Sequence, residues 1–122
     1  MHELAVSQSL LREVQRVARE HAAVSVSRVL VQIGPLSGVE PSLLREAFPL
    51  AAAGTLAEGA ELVIETVPLR VRCETCGAES EARPNRLLCG ACGDWHTRLL
   101  SGDELLLASV ELERQTEEAR HV

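Results

Sequence analysis

The sequence has no lysine and no tyrosine, and it holds only one tryptophan and one phenylalanine. All twelve basic residues are therefore arginines, set against eighteen acids for a net charge of −6. Such an acidic surface argues against tight binding to nucleic acid or anionic lipid, where phosphate neutralisation supplies most of the affinity. The scarcity of aromatics removes the platforms on which bases stack. It also leaves Leu, Val and Ala to build the core. No apolar run approaches the ~20 residues needed to span a bilayer. There is no Ser-His-Asp set and no phosphate-cradling glycine loop, so an enzyme is the least supported class. With no signal peptide in view, the chain reads as cytoplasmic.

Cysteine is scarce and concentrated. The four cysteines form two Cys-x-x-Cys pairs, Cys73/Cys76 and Cys89/Cys92, with twelve residues between Cys76 and Cys89. A tight turn in each pair brings both sulfurs to one ion, and the glycine after each second cysteine, Gly77 and Gly93, permits a left-handed backbone there. Four soft ligands in a tetrahedron make the closed shell of structural zinc. Two alternatives stay open: iron in a rubredoxin-like site uses the same knuckles, and disulfides would form in an oxidising compartment.

The whole chain, 122 residues, is long enough for one small domain carrying a smaller one. From Leu4 to Ala23, Val6, Leu10, Val14 and Val17 recur at helical steps, with Arg12, Arg16, Arg19 and Glu20 opposite. His21 near that helix end reads as a packed or capping residue. Val24 to Ile33 alternates as a strand with one buried face. Pro41 suits the first turn of a second helix, Ser42 to about Ala53, in which Pro49 should cause a kink or split. Thr55 to Glu58 matches a capping box, which predicts one more helical turn. Leu62 to Thr66 reads as a second strand, and Leu69 to Arg72 as an extended arm into the cysteine block. In the final strand, Leu106, Ala108, Val110 and Leu112 alternate with Leu107, Ser109, Glu111 and Glu113. The tail from Arg114 is charged and should fray.

This order predicts an α+β fold: a two-helix, three-strand domain with a four-cysteine, zinc-ribbon-like domain inserted before its last strand. The boundaries fall at Pro68 and Gly102, giving 1–68 plus 102–122 for the first domain and 69–101 for the second. Separate nuclei imply some relative motion.

Met1-His2-Glu3 opens the first helix. A terminal amine, an imidazole and deprotonated backbone amides can form a planar nitrogen site suited to Ni(II) or Cu(II). A solvated terminus, with Glu3 at the positive end of the helix dipole, is the plainer reading.

Met1-His2-Glu3-Leu4, Val31-Gln32-Ile33-Gly34, Leu36-Ser37-Gly38-Val39-Glu40-Pro41, Leu43 to Phe48, both cysteine knuckles and Ser101-Gly102-Asp103-Glu104-Leu105 together resemble one family over nearly the whole chain. It is that of the nickel metallochaperones of NiFe-hydrogenase maturation, HypA/HybF. The resemblance implies Ni(II) as cargo, with His2 as its essential ligand, the Met1 amine and Glu3 completing or supporting the site, and Glu40 close to the metal. It implies a structural Zn(II) on Cys73, Cys76, Cys89 and Cys92. The implied partners are the accessory GTPase HypB and a NiFe-hydrogenase large subunit, with urease accessory proteins and a homodimer left open. Some relatives carry a histidine beside each cysteine pair; here Gly77 and Gly93 hold those places, and the nearest imidazole is His96. A histidine-for-cysteine exchange at zinc is therefore not expected. Trp95 is expected to pack as a lid over the knuckle. Readings from other classes are a zinc-ribbon module for nucleic acid or protein, and a rubredoxin-like electron carrier. Against the first, residues 69–101 carry five arginines and four acids, a net of only +1.

Overall fold

In the first helix, apolar residues at three- and four-residue steps leave one face to bury. The computed structural model describes residues 3–114 and the backbone of 119–121, and in it α1 runs Glu3–Glu20 with Leu10, Leu11, Val14 and Ala18 buried. His21 closes the helix as expected: its ring Nδ1 and its backbone amide both reach the Val17 carbonyl, at 2.9 and 3.2 Å.

The period then changes to two. β1 (Ala23–Ile33) buries Val26, Val29, Val31 and Ile33. After a connector, Pro41 at the first helical position starts α2 (Pro41–Ala52), whose buried residues are Leu44, Phe48 and Ala52. Pro49 does not split this helix. It sits exposed in the last turn, where its ring removes only one ladder bond before the helix would end anyway. The capping-box turn also differs from expectation. Thr55 Oγ1 accepts from the Ala57 amide at 3.1 Å, while the Glu58 carboxylate reaches the Gly54 amide at 2.6 Å. These bonds close irregular turns rather than a helix, because β2 (Glu61–Thr66) begins three residues later.

β2 lies parallel to β1, and β6 (Leu105–Arg114) lies antiparallel on the other side. The fold class is the expected α+β, with one more strand in the main sheet. The backbone of β7 (Ala119–His121) pairs antiparallel with Glu111 to Glu113, giving the order β2-β1-β6-β7. Of the charged tail, residues 115–118 and 122 lie outside the described residues, while the backbone of Ala119–His121 takes the free edge of β6.

Both helices cover one sheet face, and the core between them joins Val14, Ala18, Val29, Val31, Leu44, Phe48, Val110 and Leu112. Arg28, between Glu61 and Glu111, and the Gln32–Glu65 hydrogen bond are exposed polar pairs across neighbouring strands. The inward face of β6 differs from the expected alternation. Val110 and Leu112 are buried as expected, but Leu106 and Ala108 are exposed while Leu107 packs on the core. The register explains it: Leu30 pairs with Ser109 and Val31 with Leu107, so Ala108 is an extra residue in a β-bulge. Such a bulge reverses which residues face inward.

Between β2 and β6 the chain makes a second sheet of β3 (Arg70–Cys73), β4 (Glu79–Glu81) and β5 (Thr97–Ser101), in the order β4-β3-β5. The crossing between the two sheets is tight. The Leu36 amide donates to the Gly102 carbonyl at 2.7 Å, the Gly34 amide to Glu104 at 2.9 Å, and Ser101 Oγ to the Pro68 carbonyl at 2.7 Å. A Cβ on Gly34 would lie 2.2 Å from the Gly102 oxygen, and one on Gly102 (φ +123) would lie 2.7 Å from Leu69 Cδ1. Only glycines allow the backbones this close.

Candidate metal centres

β3 ends at Cys73, which begins the first knuckle. Its sulfur accepts the amides of Thr75 and Cys76 at 3.4 and 3.3 Å, and Cys89 repeats this with Ala91 and Cys92 at 3.3 and 3.4 Å. Each turn closes through the glycine read from sequence: Gly77 donates to the Cys73 carbonyl and Gly93 to that of Cys89, both glycines at φ 78. The amide of Gly90 also donates to Ser80 Oγ at 2.9 Å, tying the second knuckle to β4. A side chain at Gly90 would press on Ser80 at 3.0 Å.

The two knuckles bring all four cysteines together, with their sulfurs within 4.8 Å of one another. The separations of Cys73 from Cys92 and of Cys76 from Cys89 are 3.7 and 3.5 Å. A regular tetrahedron with metal–sulfur bonds of about 2.3 Å has edges of about 3.8 Å. The donor set therefore fits a metal, and it does not fit disulfides, whose sulfurs stand about 2.05 Å apart. All four cysteines are free.

The electrostatics agree. The Cys92 amide, helped by that of Ala91, pulls the Cys89 thiol down to about 6. The amides of Cys76 and Thr75 lower Cys73 likewise. At Cys92 the Asp94 amide pulls the other way, yet burial and the neighbouring sulfurs push the thiol up to about 12. Four thiolates this close repel one another, and a divalent cation is what allows all to ionise.

Sequence reasoning missed the network around this cluster. Asp94 accepts from Thr75 Oγ1 at 2.5 Å, from the His96 amide at 3.0 Å and pairs with His96 Nδ1 at 2.7 Å. With Thr75 the largest contributor, these bonds hold the Asp94 carboxyl well below the usual range. The Glu74 amide reaches the His96 carbonyl at 2.8 Å, so the loop after the second knuckle braces the first. His96 is thus engaged by a carboxylate and stands outside the thiol cluster. The expectation for Trp95 is corrected: it is 71% exposed and stacks on His96, ring centroids 3.7 Å apart, rather than covering the knuckle. It lies in a bend two residues before β5. No sequence signal marks these partnerships.

The second candidate centre is split by what the structure describes. Met1 and His2 lie outside the described residues, whereas Glu3 and Glu40 lie within them. Glu3, the first residue of α1, is buried, and its Oε2 accepts the Glu40 amide at 3.2 Å. That bond is the main reason its carboxyl sits below the ordinary range. Glu40 is the residue before α2; its side chain makes no cap bond to the helix, is exposed, and accepts from Ser42 Oγ at 3.2 Å. The positive ends of two helix dipoles therefore meet here, each worth roughly half a unit charge. The carboxylates of Glu3 and Glu40 stand against these partial charges. Away from both centres, a groove of about 440 Å³ between α1 and β6 is lined by Ala5, Val6, Leu10, Leu105 and Leu107. Among the described residues, Glu13 is the only ionisable group lining it.

A small α+β protein with a tetrathiolate cluster and an acidic corner where two helices begin is the class that fold and sites define. Residues 1–112 match the family model described as "Hydrogenase/urease nickel incorporation, metallochaperone, hypA". The hydrogenase maturation factor HypA of Nitrosospira multiformis is 51% identical over 112 residues, 92% of this chain and 97% of that protein. The HypA of Aquifex aeolicus is 48% identical over 93% of this chain and 98% of its own length. Among solved structures, the solution structure of the Ni metallochaperone HypA from Helicobacter pylori superimposes with a TM-score of 0.69 at 26% identity. It covers 94% of this chain and 100% of that one. The chain belongs to the HypA family of nickel-incorporation metallochaperones. That family is described by nickel incorporation into hydrogenase or urease, and its relatives are named hydrogenase maturation factors. Among the described residues no helix is long and apolar enough to cross a membrane.

Proposed function

We propose that this protein is a cytoplasmic nickel carrier for NiFe-hydrogenase maturation. Ni(II) is its cargo, held by the Met1 amine, the His2 imidazole, Glu3 and Glu40. Zn(II) is resident on Cys73, Cys76, Cys89 and Cys92, where it supplies a closed tetrahedral staple and no open coordination position. Residues 1–68 and 102–122 form the nickel-binding domain, and 69–101 the zinc domain. The cargo is handed, with the GTPase HypB, to the hydrogenase large subunit.

The observation that carries this reading is the Glu3–Glu40 contact, made across 37 positions of sequence. It brings the backbone of Glu40 against the carboxylate of Glu3, the residue that follows His2. A site made largely of terminal nitrogens is reached from solvent and can exchange ligands one at a time, which suits transfer. No covalent chemistry is required of the chain.

Nickel titration of the native-terminus protein beside His2→Ala tests the reading. His2→Ala should lose nickel binding while keeping its zinc and its circular dichroism spectrum. Full nickel affinity in that variant would overturn the assignment.

A further inference from the structure

We infer that Arg83 and Arg86 form a carboxylate clamp on the cysteine-bearing sheet. It seats an acidic segment of a partner protein, with one Asp or Glu side chain between the two guanidinium groups. The clamp goes beyond the nickel reading and does not depend on it.

The chain between β4 and the second knuckle contains Arg83-Pro84-Asn85-Arg86. Proline suits the first central position of a type I turn, and Asn85 keeps the negative φ that such a turn requires. The Arg86 amide closes the turn on the Arg83 carbonyl at 2.9 Å, and the two arginines pair as an antiparallel bridge. Residues directly opposite in such a bridge project to the same face, with Cβ atoms about 5 Å apart. Both side chains are exposed. The base of the turn is fixed on either side. The Ala82 amide donates to the Leu69 carbonyl at 3.0 Å, and Thr97 Oγ1 donates to the Leu87 carbonyl at 2.6 Å. Beside the turn lies a hollow of about 300 Å³, lined by both arginines together with Glu81, Leu88 and Gly90.

Like charges set directly opposite repel each other unless an opposite charge joins them. The arginines opposed elsewhere on this sheet, Arg72 and Arg98, have Glu79 at 3.6 Å from Arg72. Arg16 and Arg28 also have acids of their own. Among the described residues, neither Arg83 nor Arg86 has a carboxylate at ion-pair distance. Nor are they engaged by the thiolates, whose sulfurs take backbone amides. Glu81, the one acid lining the hollow, is the register partner of Arg70 on β3.

The chemistry of the lining selects the ligand. Guanidinium forks match carboxylates in a bidentate way. The hollow has room for a side chain and its neighbours, and no aromatic ring lines it for a base to stack on. Residues 69–101 carry +1 of a total of −6, so the rest of the chain carries −7 and repels a long polyanion. A short acidic segment of protein meets only the turn. Exposed ion pairs add little affinity, but they steer approach and fix orientation. The clamp thus provides a brief, salt-sensitive docking contact.

The test follows the arginine Nε–H signals of the zinc-loaded full chain by NMR. The probe is the capped peptide Ala-Glu-Glu-Ala, with Ala-Gln-Gln-Ala as control. At low salt, the Glu peptide should shift Arg83, Arg86 and the Gly90 amide saturably, and the Gln peptide should not. The double variant Arg83→Gln/Arg86→Gln should bind roughly tenfold more weakly while keeping its metal content, and Arg98→Gln should stay within about twofold of the wild type. Absence of a saturable shift, equal shifts at Arg12, Arg45 and Arg98, or full binding by the double variant would overturn the inference. Tighter uptake of inorganic pyrophosphate at the same signals would make the ligand a phosphate and overturn its class. A sedimentation mass that rises with concentration, and no longer does so in the double variant, would make the occupant the acidic body of a second copy and overturn the choice of partner.

Discussion

The two sheets of this protein are held by different forces. Around the main sheet, a continuous cluster of aliphatic residues and Phe48 is buried against two helices. The cysteine-bearing sheet buries little beyond Leu69, Val71, Cys73 and Cys89. A three-stranded sheet with so small an apolar set is not stable in water by burial alone. Its geometry converges instead on four sulfurs. Size explains the difference: an insertion of this length cannot enclose a core, so a metal does the work of one.

Removing the metal should break the comparison most completely. Chelation, or Cys89→Ser, should abolish dispersed NMR signals from residues 70–101 while leaving those of Val29, Phe48 and Leu112 native. Collapse of both sets together would show that the main sheet depends on the metal too. The reciprocal experiment attacks the core. Phe48→Ala should cost about 3–5 kcal/mol in denaturant unfolding, yet leave the metal bound by the four cysteines, read with a colorimetric chelator, at the wild-type level.

Gly102→Ala probes the seam between the halves. The added Cβ would meet Leu69 and stand at a φ that side chains rarely adopt. A loss of about 1–3 kcal/mol is expected, with exchange fastest at the Leu36 amide, whose acceptor moves. The smallest effect lies on the surface of α1. Arg16 bonds to both Glu13 and Glu20, and the Arg16 hydrogen bond lowers the Glu13 carboxyl from 4.5. A lowered native value means that the contribution is complete above pH 4.5 and is lost as pH falls through the native value. Because the pair is exposed, Glu13→Gln should reduce thermal stability at pH 7 only slightly, and salt should erase the difference.

Much of this was legible in the sequence for physical reasons. The steps of α1 and the alternation of Val29, Val31 and Ile33 report burial directly. The cysteine spacing reports one ion. What stayed hidden depends on neighbours far along the chain. The run Leu105 to Ala108 is apolar on both faces, so no pattern could reveal the bulge that turns Leu106 outward. β7 owes its pairing to the exposed edge of β6 rather than to its own residues. Glu3 and Glu40 could be linked only through a resemblance, since nothing local ties residue 3 to residue 40. Asp94 gave no sign that it gathers Thr75 and His96, and Trp95 was misread because bulk was equated with burial.

With one tryptophan and no tyrosine, nearly all the near-ultraviolet absorbance and intrinsic emission of this chain come from a single ring. That ring is solvent-facing and stacked on an imidazole beside the second knuckle. Fluorescence of the intact molecule is thus a local gauge of the loop holding His96. It is blind to the aliphatic core. Melting curves followed by emission and by far-ultraviolet ellipticity should accordingly part company, each tracking a different half.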